Sequence, residues 1–159
     1  MTRVAVLTVS DRSSRGERPD AGGPAVVAAV EGRGWTVAER ALVADDRAAV
    51  AAKLRSWCDG PDAPQLVLTT GGTGFGPRDL TPEATKDVLE REAPGVAERI
   101  RRVTEARTAL AALSRGVCGT RGRTLILNLP GSPKGAVESL EAAAELLEHA
   151  LHTLSGGDH

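Results

Sequence analysis

Residues 65–85 read QLVLTTGGTGFGPRDLTPEAT. An apolar, β-branched run, QLVLTT, leads into a glycine-dense loop and then a Thr-Pro pair. The run has the length and composition of a strand buried on both faces. Thr81-Pro82 predicts a helix start, with Thr as cap and Pro at the first position. Gly71, Gly72, Gly74 and Gly76 fall within six positions of the loop between them. Glycines let a backbone turn its N–H groups inward and approach a ligand closely. Thr69, Thr70 and Thr73 add hydroxyls, and the helix start adds its positive end. Such a loop suits a phosphate. It is neither GxxxxGK[ST] nor GxGxxG, which sets aside a P-loop ATPase and a Rossmann dinucleotide site. Asp79 stands inside this anion loop, where a bridging cation would reconcile it with a phosphate. Mg²⁺ prefers carboxylate oxygens, phosphates and water.

The rest of the chain repeats the alternation. RVAVLTVS (3–10) and RTLILNL (123–129) read as buried strands, and WTVAERALV (35–43) as a less buried one. SDRSSRGERPDAGG reads as a long polar loop, after which Pro24 opens a short helix. Asp45 or Asp46 caps the next helix, through about Cys58. Pro94-Gly95 separates the helix at Thr81 from another that runs to about Arg107, and SRGVCGTRG reads as a loop. Ser132-Pro133 repeats the cap-plus-proline start. Val137, Leu140, Ala144, Leu147, Leu151 and Leu154 then make one apolar stripe. This pattern predicts an α/β fold, a three-layer α/β/α arrangement with a mostly parallel sheet. In such sheets ligands bind at the carboxyl ends of the strands. SDRSSRG, GGTGFGPRD and PGSPKG each come directly after a strand, so topology places all three on one edge. Ser132 and Lys134 make PGSPKG a second anion-binding candidate, although Ser-Pro helix starts are common without a ligand.

Composition removes other classes of function. The 159 residues carry a net charge of −1, which gives no long-range pull toward nucleic acid or an anionic membrane. Three aromatic residues, Trp35, Trp57 and Phe75, offer no base-stacking surface. Cys58 and Cys118 form no CxxC pair and read as free thiols of a reducing compartment. No apolar run approaches membrane-spanning length, and the expected location is the cytoplasm. His149 and His152 read as surface residues of the last helix. Glu138, Glu141, Glu145 and Glu148 read as its solvated face. The arginines of 99–123 read as a wet helix surface, from which Arg115 could reach the anionic pocket or a neighbouring subunit.

TTGGTGFGPRDLTPEAT, LNLPGSPKG, VSDRSSRGERPDAGGP and LSRGVCGTRG together resemble the molybdopterin-binding family. The likeness is greatest to its bacterial MogA/MoaB branch, related to the gephyrin G domain, and it covers nearly the whole chain as a single domain, 1–159. The resemblance implies adenylyl transfer from Mg-ATP to the terminal phosphate of molybdopterin, with release of pyrophosphate. It also implies a homotrimer or hexamer, and handover of product to the metal-insertion enzyme of molybdenum cofactor biosynthesis. Carried over by motif, Asp79 and Asp45 become the catalytic, Mg²⁺-linked carboxylates. Gly71, Gly72, Thr73, Gly74 and Arg78 would bind substrate, with Gly131, Ser132 and Lys134 lining the same pocket. Ser10, Asp11 and Arg12 match the early SDR segment, Asp20 and Pro24 the Asp and Gly-Pro positions after it, and Ser114 and Arg115 the SRG loop. Gly22 stands where the family often has Ser. The alternative within the same branch is a molybdopterin-binding protein without catalysis. A scaffold domain that assembles partners ranks below both.

Overall fold

The apolar runs do become strands, and their alternation with helices explains why they are apolar throughout. The computed structural model describes residues 1–158. In chain order its elements are β1 (Arg3–Val9), α1 (Asp11–Ser14), α2 (Gly22–Gly32), β2 (Thr36–Val43), α3 (Arg47–Cys58), β3 (Leu66–Thr70) and α4 (Thr81–Lys86). Next come β4 (Arg91–Glu92), α5 (Pro94–Thr104), a 3-10 turn (Ala109–Leu113), β5 (Cys118–Arg121), β6 (Thr124–Leu129) and α6 (Pro133–Leu154).

One sheet runs in the order β2-β1-β3-β6-β5-β4. β1, β2, β3 and β6 are parallel, in a register that sets Val6 beside Leu68 and Leu68 beside Leu127. Successive side chains of a strand point to opposite faces. Val4, Val6, Leu66, Leu68, Leu125, Leu127 and Leu129 therefore pack on one side with α2, α5 and α6. Ala5, Leu7, Val9, Val67 and Ile126 pack on the other with α3 and α4. Two cores on one sheet give the three-layer α/β/α arrangement. The stripe of α6 buries Leu140, Leu147 and Leu151 in the first core, and β2, an edge strand, buries none of its residues.

Four local expectations change. The loop 10–23 contains α1, a single turn capped by the Ser10 side chain, which accepts from the Ser13 N–H. Thr81 is not a cap: Leu80 holds that position, and the Thr81 hydroxyl is buried with no hydrogen-bond partner among the described residues. SRGVCGTRG, expected as a loop, holds β5, which pairs antiparallel with β6 and with the two-residue β4. Its small and polar residues carry no strand period; pairing with an already formed sheet decides it. Glu138 is not a solvated face residue: its largely buried carboxylate pairs with Arg107 at 3.0 Å and approaches Lys134 at 4.0 Å. Other choices resolve plainly. Asp46, not Asp45, caps α3 by accepting from the Ala49 N–H at 2.8 Å. Ser132 caps α6 by accepting from the Gly135 N–H at 3.1 Å.

Candidate active site at the carboxyl edge of the sheet

β1, β3 and β6 are parallel neighbours, so the loops that leave their carboxyl ends meet. The Thr70 hydroxyl at the end of β3 donates to the Pro130 carbonyl at 2.8 Å, and the Gly71 N–H donates to the Leu129 carbonyl at 3.2 Å. The chain then turns sharply through Gly71 (φ +104°) and Gly72 (φ +68°). A Cβ on Gly71 would stand 2.2 Å from the Val9 carbonyl oxygen, so only glycine lets β3's loop cross this close to β1.

Between these loops lies a cavity of about 490 Å³. Ser10, Asp45, Gly71, Gly72, Asp79, Gly131 and Ser132 line it, together with Thr8, Asp20 and Gly22 from the strand end and the loop after β1. Asp20 is held by the Thr8 hydroxyl at 2.8 Å and the Gly23 N–H at 2.9 Å. Asp45 and Asp11 exchange hydrogen bonds: the Asp11 N–H donates to Asp45 Oδ2 at 2.8 Å, and the Asp45 N–H to Asp11 Oδ1 at 3.0 Å. This reciprocal link ties the end of β2 to the start of α1. Asp79 Oδ2 accepts from the Gly76 N–H at 2.8 Å, which closes the glycine loop on itself.

The acidic groups differ in charge environment. The Arg78 guanidinium hydrogen-bonds Asp11 and holds its carboxyl below the usual value. Burial pushes the Asp45 carboxyl up; the Asp11 N–H opposes this, and the charges of Asp11 and Asp79 add to it. A desolvated carboxylate facing other negative groups favours a cation beside it. Asp45 and Asp79 thus fit a hard divalent ion that completes its shell with phosphate and water oxygens. No set of three or more metal-ligating side chains occurs among the described residues.

A second, more apolar cavity of about 340 Å³ adjoins the first at Ser132. Thr73, Gly74 and Ser114 line it, and so do Leu110 and Leu113 of the 3-10 turn. The remaining motif residues lie outside both cavities. Arg78 is engaged by Asp11 at the rim. Arg12 is exposed and Lys134 strongly so, near Glu138. Arg115 sits behind the glycine loop, bonded to its carbonyls. Sequence reasoning passed over Asn128, which is buried beneath the loop. Its amide donates to the Thr69 and Thr85 hydroxyls, each at 3.0 Å, and accepts from the Val117 N–H at 3.1 Å. The one signal was a polar residue inside the apolar run RTLILNL.

Residues 5–149 match the family described as "Probable molybdopterin binding domain". The chain belongs to this family. Among solved structures, the molybdopterin biosynthesis enzyme MoaB of Thermus thermophilus superposes with a TM-score of 0.92 at 53% identity, covering 98% of each chain. The molybdopterin adenylyltransferase of Helicobacter pylori is 37% identical over 155 residues, which cover 96% of this chain and 88% of that one. The molybdenum cofactor synthesis protein cinnamon of Drosophila melanogaster is 42% identical over 153 residues. The match spans 94% of this chain but only 25% of that longer protein. In this molybdopterin-binding fold the cavity edge is built largely by backbone: N–H groups, a helix N-terminus and hydroxyls surround the carboxylates of Asp20, Asp45 and Asp79. Both cysteines are remote from it, and burial raises their thiols to about 11 for Cys58 and about 12 for Cys118, so neither is a nucleophile at neutral pH.

Proposed function

We propose that the protein adenylylates molybdopterin: the terminal phosphate of molybdopterin attacks the α-phosphorus of ATP, and pyrophosphate leaves. The observation that carries this reading is the presence of Asp45 and Asp79 together in a cavity whose wall is otherwise largely backbone and hydroxyl groups, with Arg18 and the hydrogen-bonded Asp20 contributed by the loop after β1. A cavity built for anions alone would not hold two carboxylates. The relatives named adenylyltransferase, alike over most of the chain, support it.

The chemistry needs little from side chains. A phosphate nucleophile is already ionised at neutral pH, so no general base is required, and positioning with charge neutralisation remains. Asp45 and Asp79 would hold Mg²⁺, which supplies positive charge to the phosphates that meet there. The Gly71–Gly72 turn and Gly131 bring backbone within reach of substrate oxygens. Ser132 starts α6 at the cavity wall, so the positive end of a long helix faces the same space. Ser10 closes the side nearest β1. The apolar second cavity, which shares Ser132 with the first, can take a ring system while the phosphates occupy the first.

Incubation with molybdopterin and Mg-ATP tests this reading by release of pyrophosphate and formation of adenylylated product. Asp79→Asn is expected to lower kcat at least about 100-fold while molybdopterin still binds. Tight molybdopterin binding with no ATP binding and no pyrophosphate would instead identify the non-catalytic relative of this branch. On the same reading the protein works in the cytoplasm as a homotrimer or hexamer, which sedimentation will distinguish, and passes its product to a metal-insertion enzyme. No helix among the described residues is long and apolar enough to cross a membrane.

A further inference from the structure

Arg115 precedes β5 and reaches across to the glycine loop at several points. Its N–H donates to the Thr73 carbonyl at 2.9 Å, Nε to the Gly74 carbonyl at 2.8 Å and Nη2 to the Asp79 carbonyl at 2.6 Å. Nη1 pairs with Glu83 in the first turn of α4. Phe75 lies over the guanidinium, 5.8 Å from ring centroid to Cζ. The planar fork thus binds the Gly74 and Asp79 carbonyls on the two sides of the loop, while the backbone N–H holds Thr73, and the side chain lines neither cavity. A substrate-binding arginine would present that fork to the cavity instead. Glu83 completes the arrangement: one oxygen takes Arg115, and the other is buried with no partner among the described residues. Glu83 lines neither cavity, and Arg115 is the cation it pairs with.

We propose that Arg115 and Glu83 are a positioning pair, which fixes the Gly74 and Asp79 carbonyls and so holds the Asp79 carboxylate at the cavity. The pair rests on the adenylyl-transfer reading for its effect on rate, but not for its effect on the loop. Two sets of readouts therefore apply to Glu83→Ala and Arg115→Lys. Amide hydrogen exchange follows Gly76 and Asp79, whose N–H groups close the loop at 2.8 and 2.9 Å. Both amides are expected to exchange about tenfold faster in each variant, with β3 amides unchanged. In the pyrophosphate assay kcat is expected to fall about 100-fold, with KM for Mg-ATP within about twofold of wild type. The double variant is expected to be no slower than the worse single one. Should Glu83→Ala fail to fold, Glu83→Gln, which keeps an acceptor for Arg115, is measured in the same way and shows the same changes in smaller size. A raised KM with normal kcat and normal exchange in Arg115→Lys would overturn the proposal and make Arg115 a substrate contact. Wild-type exchange and rate in the Glu83 variants would overturn it too. If the wild-type protein releases no pyrophosphate, the adenylyl reading fails. The exchange arm still decides the pair: faster exchange upholds it, and unchanged exchange refutes it.

Discussion

A methyl group at Gly72 would meet the Thr81 hydroxyl oxygen at 2.3 Å and Asp45 Oδ1 at 3.0 Å. Gly72 also holds φ at +68°, where a side chain is strained whatever space it finds. Gly72→Ala is therefore expected to cost about 2 kcal/mol or more of stability, measured by urea unfolding. Adding Thr81→Ala should recover part of that cost, since it removes the clashing hydroxyl but not the backbone strain. The same contact explains why the Thr81 oxygen has no partner among the described residues: it faces the Cα of a glycine. The residue scale also separates charges that look alike in the sequence. Asp45 and Asp46 are adjacent, yet one faces the cavity and the other caps α3. Arg78, Arg115 and Lys134 are all cations near the anion loops. Two of them are bound to groups of the protein itself, and Lys134 extends outside both cavities.

At the scale of elements, the helix starts govern how the site is presented. Ser132 caps α6 and borders both cavities, so the residue that closes the helix is also part of the wall. Ser132→Ala is expected to lower stability by about 1 kcal/mol, seen as a lower midpoint of thermal unfolding. Ser132→Asp should restore the cap, but it would set a further carboxylate beside Asp20, Asp45 and Asp79 at the cavity and so depress turnover. That split between stability and rate distinguishes the cap from the wall. The short α1 serves a similar end: Ser10 caps it and Asp11 bonds Asp45. It thereby joins the ends of β1 and β2, which are paired in register up to Val9 and Val43.

Across the whole molecule, the paired carboxylates give stability a pH dependence on the acid side. Arg121 holds Asp59 below its ordinary value, Arg47 holds Asp87, Arg115 holds Glu83, Arg78 holds Asp11 and Arg15 holds Glu17. A lowered folded value means that the unfolded chain binds more protons. This stabilisation is complete above pH 4.5, the ordinary value of Glu83, and is lost as pH falls through the folded values beneath it. Asp45 acts in the opposite sense, because burial makes its ionisation costly and protonation relieves that cost. Urea midpoints are expected to stay nearly level from about pH 7 to about pH 5 and to fall modestly below, because these pairs are largely exposed and screened by solvent. The strands at 3–10, 65–70 and 123–129, their parallel arrangement and the shared edge of their loops were legible in the sequence. Burial on both faces demands continuous apolar runs, and glycine at a strand end demands a close turn. β5 and β4 were not legible, because short polar segments acquire strand geometry only from a sheet already there. Side-chain period and local backbone freedom are enough to specify a parallel α/β core, an anion-suited glycine loop and an aspartate within it. Which cations face the cavity, and which are already bound within the protein, is a property of the folded chain alone. It depends on contacts such as Arg115 to Asp79, between residues far apart in the chain, and no local pattern encodes them.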